Sequence, residues 1–476
     1  MARICAMAGR VAGTASEARS RVCHREEQMS DFSGRKARRR DFLKGVGATG
    51  GVIALGVTLP SPLRAQSAPP KVPIGQIVAF TGSGAEYGPF FRDAAQLALD
   101  QINRAAEQVF GGPIVERLIA EDSNTLPTPA IEAARKLVES DGVPAIICEW
   151  SSGVTVAVAT SVTIPSGVLQ VGNGTTSPLV SVLPEDEGKD LLFRTSPSDA
   201  LQGVVAADLA AGKIIDGYKF DTAATIYINN PYGQGLSNAF AAAFEKRGGK
   251  VLAQVAHPEE VQPTYRSFLS AALQDKPGVL VLPTYPAHTA QILKESRDIF
   301  GYTSWQFTDA NRSSEVLDAV GGKDLAGKYG TVPSADPESQ SYKAFAAAYR
   351  EATKQDRIPP FTETTYDAAM VIGLALAKAV ADGITDASEI TGTVLRDRLR
   401  PIANPPGEKI IGGSQEEITK ALQLLKEGKE IDYVGAGGSV DFDQNGDVKT
   451  PIAVWKYTET GDETVKIVPA EDIASE

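Results

Sequence analysis

From residue 72 to residue 308, short apolar runs suited to strands alternate with amphipathic stretches of helix length. A chain so patterned folds into βαβ units around parallel sheets. Strand-like runs at 72–80, 114–121, 145–148 and 168–172 are separated by helical segments at 88–104, 129–140 and 154–162. In the first of these helices Phe91, Ala95, Leu99 and Ile102 fall on one face. The alternation restarts after Phe193-Arg194-Thr195, with helices at 200–211, 235–247, 265–274 and 287–300 and strands at 223–229, 251–256, 278–283 and 305–308. The fold class expected is α/β, with two doubly wound parallel-sheet units in tandem.

The two units open alike. Strand 72–80 runs into Gly82-Ser83-Gly84-Ala85-Glu86-Tyr87-Gly88, and strand 223–229 into Asn230-Pro231-Tyr232-Gly233-Gln234-Gly235. Each places a Tyr-Gly pair between the carboxyl end of a strand and the start of a helix. Ligands of open α/β sheets bind there, and the free N–H groups of the helix favour an anion. Beyond about residue 330 the layout changes to helices at 339–353, 364–382, 391–399 and 414–426. Strands at 439–442, 451–457 and 464–468 follow, with Asn445-Gly446 as a hairpin turn and the Pro- and Gly-rich stretch 401–413 as a loop.

Ahead of this body stands Arg38-Arg39-Arg40-Asp41-Phe42-Leu43-Lys44, then a glycine-rich apolar run of 15 residues, 45–59. That run is too short for a bilayer, which takes about 20 residues, and small residues follow it. The segment resembles a twin-arginine export signal, removed after Ala65, with Arg38 where that pattern usually has Ser or Thr. Residues 1–65 are thus expected to be a signal peptide with a long n-region. Initiation at Met29 would give it ordinary length.

The leader takes 12 of the 47 basic and 5 of the 59 acidic side chains, leaving a formal charge of −19 on residues 66–476. Such a surface repels nucleic acid and anionic lipid. No later segment reads as 18 consecutive apolar residues, so the mature product is expected to be soluble. Cys148 is the single cysteine left and sits in an apolar strand, which leaves no disulfide and suggests a buried thiol.

The motifs that carry chemistry are missing. Gly82, Gly84 and Gly88 have the wrong spacing for a dinucleotide fingerprint. Asp441, Asp443, Asn445 and Gly446 mimic half of a calcium loop, but Ile452 stands where the bidentate Glu belongs. There is no Gly-x-Ser-x-Gly and no paired Cys/His spacing, and His288 reads as a surface helix residue. The expectation is no cofactor, no metal and no catalytic group. Glu149 and Asp309, both at strand ends, suit a charge-pairing role in a pocket.

Several short motifs recur in the order found in one family: Thr81-Gly82 leading to Tyr87-Gly88, Ser151-Ser152, Thr175-Thr176-Ser177-Pro178, Phe193-Arg194-Thr195, Tyr232-Gly233, Tyr366-Asp367-Ala368-Ala369, and the run from Val440 to Asp447. On these the chain, from about 71 to 468, resembles the periplasmic binding proteins of ABC importers, in particular the branched-chain amino acid (Leu/Ile/Val) type. The resemblance implies the type I periplasmic binding fold, two lobes closing on a ligand by hinge motion. Lobe 1 would be 71–196 plus 333–447, and lobe 2 would be 197–332 plus 448–476.

It also implies a site. Ser151 would take the ligand carboxylate, with Thr176 as hydroxyl partner and the Gly174 carbonyl accepting from an ammonium. Tyr87, Tyr232 and Tyr285 would line the cleft, and Glu149-Trp150 would bring an acid and a large ring to its rim. The family's ammonium-pairing acid aligns with Asn311, so Asp309 would take over. Asn124 and Trp150 stand at the positions of the family's usual cysteine pair. The implied product is a periplasmic monomer that is not an enzyme. It would hand a small molecule, an amino acid or else a non-amino carboxylate or small amide, to an inner-membrane ABC permease after export by the twin-arginine machinery. The alternatives are a ligand sensor of the same fold and an exported enzyme.

Overall fold

The computed structural model describes residues 68–473. The expected twin-arginine leader, its cleavage after Ala65 and a start at Met29 lie outside the described residues. The first sheet consists of β1 (Val72–Val78), β2 (Val115–Asp122), β3 (Ala145–Ile147), β4 (Leu169–Gly172) and β5 (Leu192–Arg194), all parallel, in the order β2-β1-β3-β4-β5. Its inner strands are buried on both faces, so they read as apolar runs with no alternation.

Helix Gly88–Val109 turns its Ala95, Leu99 and Ile102 face onto this layer. Beside it packs helix Thr362–Ala381, which returns from far down the chain and is buried almost all round. Contrary to the sequence expectation, this helix is long and apolar enough to cross a bilayer. The protein buries 83% of its most apolar window, and it serves as a central core helix.

The second sheet begins with β6 (Thr222–Ile228), β7 (Lys250–His257), β8 (Val279–Leu282), β9 (Trp305–Phe307) and β10 (Tyr329–Pro333). The chain then builds a separate small sheet from β11 (Glu408–Ile411), β12 (Ile431–Gly435) and β13 (Gly438–Ser439). It returns with β14 (Ile452–Tyr457) and β15 (Asp462–Val468), which add an antiparallel ribbon to β10. The order β15-β14-β10-β9-β8-β6-β7 contains, in β7-β6-β8-β9-β10, the same winding as the first sheet. The molecule therefore has two doubly wound α/β lobes, as the tandem alternation predicts.

Pro197 and Val448 form an isolated parallel bridge where the chain passes between the sheets. Beside it the fully buried Arg194 pairs through Nε with Asp447 Oδ1 at 2.7 Å and donates through Nη2 to Ser181 Oγ and through Nη1 to the Ser177 carbonyl. A charge so deep is tolerable only because it is paired and its donors are used.

Three local expectations fail near the carboxyl end. Residues 401–413 are not simply a loop, since β11 lies within them. Of 439–442 only Ser439 is in a strand. Asn445-Gly446 does not join a hairpin, because β13 and β14 belong to different sheets. Instead Asp443 Oδ1 accepts from the Asn445 and Asp447 N–H groups at 2.8 and 3.0 Å, closing a turn that presents Asp447 to Arg194. The small sheet is fastened to the core helix by buried Asp367. That carboxylate accepts from Tyr433 Oη and from the N–H groups of Ala436 and Gly437, each at 2.7 Å.

Candidate ligand-binding cleft

In a sheet wound 2-1-3-4-5, the chain leaves β1 and β3 in opposite directions and opens a crevice at their carboxyl ends. The residues after β1 include Tyr87, and those after β3 are Glu149, Trp150 and Ser151. In the second lobe the equivalent ends, after β6, β8 and β9, carry Tyr232, Tyr285, and Asp309 with Asn311. The two switch points face each other.

Trp150 crosses the gap. Its ring centroid lies 5.1 Å from Tyr87 and 4.7 Å from Tyr285, and Tyr285 stacks on Tyr232 at 5.5 Å and 13°. All four rings are buried. Hydrogen bonds tie the lobes together alongside them. Tyr87 Oη donates to the Ala310 carbonyl at 3.2 Å, and Tyr285 Oη donates to Ser151 Oγ at 2.9 Å while accepting from Asn230 Nδ2. Ser151 also caps the helical run Ser152–Ser166, its hydroxyl accepting from the Val154 N–H. At the rim Glu86 clasps the other lobe by accepting from Ser314 Oγ at 2.5 Å and from the Ser313 hydroxyl, and against the burial that would raise it these two bonds, helped by the ion pair with Arg357, hold its carboxyl low.

The acids lie deeper. Glu149 accepts from Ser123 Oγ at 2.6 Å, while its second oxygen is buried without a partner, and burial pushes the carboxyl up to about 8. Asp309 Oδ1 accepts from Tyr232 Oη and from Gln202 Nε2, both at 2.9 Å; burial still pushes it up to about 6. Thr176 Oγ1 donates to Asp199 Oδ2 at 2.9 Å, and burial together with the charge of Asp309 drives Asp199 well above the usual carboxylate range. Gly174 lies against the Trp150 ring, its N–H 3.4 Å from the Glu149 carbonyl.

Nine of the ten sequence-derived positions thus cluster in this interlobe layer. Asn311 does not offer its amide to it. Its Oδ1 accepts from the Thr308 N–H and hydroxyl, and its Nδ2 donates to the Thr284 carbonyl and to Thr289 Oγ1, which closes a capping box. Sequence reasoning missed Asp199 and Gln202. Asp199 follows the N-cap Ser198 in the first turn of helix Asp199–Ala210, where an acid is ordinary, so nothing marked it as a pocket group. His288, expected on the surface, is buried with its Nδ1 2.7 Å from Tyr265 Oη, because its helix packs that face against β7 and the Tyr265 turn. Cys148 is a buried free thiol, as its apolar strand suggested.

Known proteins are similar to this chain in sequence and in fold. A substrate-binding protein of a chemotactic signal transduction system, BasB of Halobacterium salinarum, is 26% identical over 406 residues, covering 83% of this chain and 89% of its own. The Leu/Ile/Val-binding protein BraC3 of Rhizobium johnstonii is 26% identical over 361 residues, covering 75% of this chain and 91% of its own. The crystal structure of the leucine-binding protein LivK of Thermotoga maritima superposes with a TM-score of 0.67 at 22% identity, covering 84% of this chain and 99% of that one. The family model described as periplasmic binding protein matches residues 71–458, and with every strand of both sheets but β15, the two switch points and the interlobe cleft inside that span, the chain belongs to the periplasmic binding protein family.

Proposed function

We propose that the protein is the solute receptor of an ABC importer and that its ligand is an amino acid with an aliphatic or aromatic side chain. The observation that carries this is the charge of the cleft. Glu149, Asp199 and Asp309 are all buried there, the buried Arg194 nearby is committed to Asp447, and burial keeps the imidazole of His288, beside Tyr285, neutral. A ligand that brings a positive charge and apolar surface suits this place, because its charge would favour ionisation of acids that burial holds protonated and its side chain would meet four aromatic rings. Its carboxylate would meet the Ser151 hydroxyl and Thr176, its ammonium the acids and the Gly174 carbonyl, and its side chain Trp150 and the three tyrosines.

In this reading lobe 1 (71–196 with 333–447) and lobe 2 (197–332 with 448–476) close about the hinge at Pro197 and Val448. The monomer works in the periplasm, reached by the twin-arginine route, without cofactor or catalysis, and presents the closed form to a permease in the inner membrane. One observation favours a second ligand class, a carboxylate without an amino group: the Asn311 amide is wholly used in its own turn and leaves the family's ammonium position without an acid.

Thermal unfolding of the mature chain 66–476, stripped of carried-over ligand by unfolding and refolding, tests both readings. Amino acids, keto acids, aromatic acids and short amides are each added in excess. A ligand at a hundred times its Kd stabilises the native state by about 2.7 kcal/mol, a shift of several degrees. A shift with amino acids supports the first reading, a shift with desamino acids alone the second, and no shift with any of them refutes the receptor assignment for these classes.

A further inference from the structure

Apart from the cleft, the protein holds a cavity of about 220 Å3 whose lining includes Arg312, Tyr342, Arg357, Glu363, Asp462 and Thr464. None of the ten cleft positions lines it. Phe361, two residues before Glu363, packs instead into the apolar cluster of Tyr87 and Trp150. The two spaces are therefore separate.

Glu363 is the unusual member of the lining. It stands in the first turn of helix Thr362–Ala381, where an acid is ordinary if water reaches it, yet it is only 7% exposed. Among the described residues its carboxyl has a single donor, its own backbone N–H, and burial pushes it up to about 7. Unused donors line the same space. Arg312 donates through Nε to Asp462 Oδ1 at 2.6 Å and lies over the Trp455 ring, while its two Nη groups, like the Tyr342 hydroxyl, have no acceptor among the described residues. The charge of Arg312 acts on Glu363 although the two form no ion pair. A base and an acid so separated suit a molecule that accepts at one end and donates at the other. The remaining charges cancel, Arg312 against Asp462 and Arg357 against Glu86. A neutral molecule thus enters at a lower desolvation cost than an ion.

We propose that this cavity is a second binding site, for a small primary carboxamide whose carbonyl oxygen accepts from Arg312 Nη and whose N–H groups donate to Glu363. Glu363 serves in either protonation state. Ionised, it accepts from the amide nitrogen; protonated, it still accepts through its carbonyl oxygen and donates its O–H to the amide oxygen. The site does not depend on the receptor reading, because it shares no residue with the cleft.

A ligand-observed NMR titration of the mature chain 66–476 with acetamide at pH 7 tests it, with acetate and N,N-dimethylacetamide as controls that lack the N–H. Acetamide is expected to bind with a Kd below about 10 mM, and each control about tenfold weaker or more. Glu363→Met removes the acceptor together with a buried acid that lacks a partner, so that variant should fold and should weaken acetamide about tenfold or more. Should it fail to fold, Thr464→Phe takes its place, since Thr464 is exposed at the edge of the cavity and a ring there would fill the entrance. Absence of binding below about 10 mM, equal affinity for either control, or acetamide binding that survives the variant overturns the site. The receptor reading stands or falls separately, on the ligands of the cleft.

Discussion

Trp150 fits across the cleft because two glycines leave room for it. A Cβ on Gly174 would stand 2.6 Å from Trp150 Cδ1, and one on Gly84 would stand 2.7 Å from Cζ3. Gly174→Ala should therefore push the indole off its two tyrosine neighbours, costing about 1–3 kcal/mol in the ligand-free closed form. A red-shifted emission with a lowered melting temperature would register it; an unchanged spectrum would show that the ring does not rest there. The sequence could place Tyr87, Trp150, Tyr232 and Tyr285 at strand ends, because strand ends are readable from apolar runs. It could not show that Tyr285 reaches Ser151 or that Tyr87 reaches Ala310, since those bonds join residues more than a hundred positions apart. Asn311 illustrates the same limit from the other side. Its position in a line of motifs suggested a ligand contact, while its amide answers to Thr284, Thr289 and Thr308.

The small sheet β11-β12-β13 hangs on one acid. Replacing Asp367 with Asn turns an acceptor oxygen into a donor facing either Gly437 N–H or the Ala436 N–H and Tyr433 pair. The unpaired buried donor should cost about 1–3 kcal/mol, seen as a loss of several degrees in melting temperature. No loss would mean that the sheet is held mainly by its apolar contacts. The long helices and the paired βαβ units were legible because each repeats its period over many residues. The sheet 408–439 was not, because its strands are two to five residues long and sit among Pro, Gly and charged residues. The Asn445-Gly446 pair misled for a related reason: the dipeptide fixes a reversal of the chain, but what pairs on either side is decided by strands far away.

Across the whole molecule, burial sets a pH dependence. Glu149 and Glu363 are raised to about 8 and about 7, and Asp309 and Asp367 to about 6, all chiefly by burial. Burial lowers His257 to about 4 and His288 to about 3. Between roughly pH 4 and 6.5 the two sets oppose each other, since the native acids keep protons that the unfolded chain has lost while the native histidines refuse protons that the unfolded chain binds. Above pH 6.5 the histidine gain is complete, and Glu149 and Glu363 continue to cost up to about 1.4 kcal/mol each per pH unit until they ionise. The ligand-free melting temperature should fall from pH 6.5 to 8, and Glu149→Gln should flatten the fall; above that the raised thiol of Cys148 and the raised buried tyrosines continue it, and calorimetry in a pH series would reverse this account if the temperature rose instead. The winding of the chain has a further consequence, for biosynthesis. The sheet begun by β6 is finished by β14 and β15, and the core begun by β1 is finished by helix Thr362–Ala381. A ribosome that has made the first three hundred residues has released neither core complete, so the nascent chain has to wait, with apolar strand edges exposed, for its last segments, and holdase chaperones are the natural guardians of that interval.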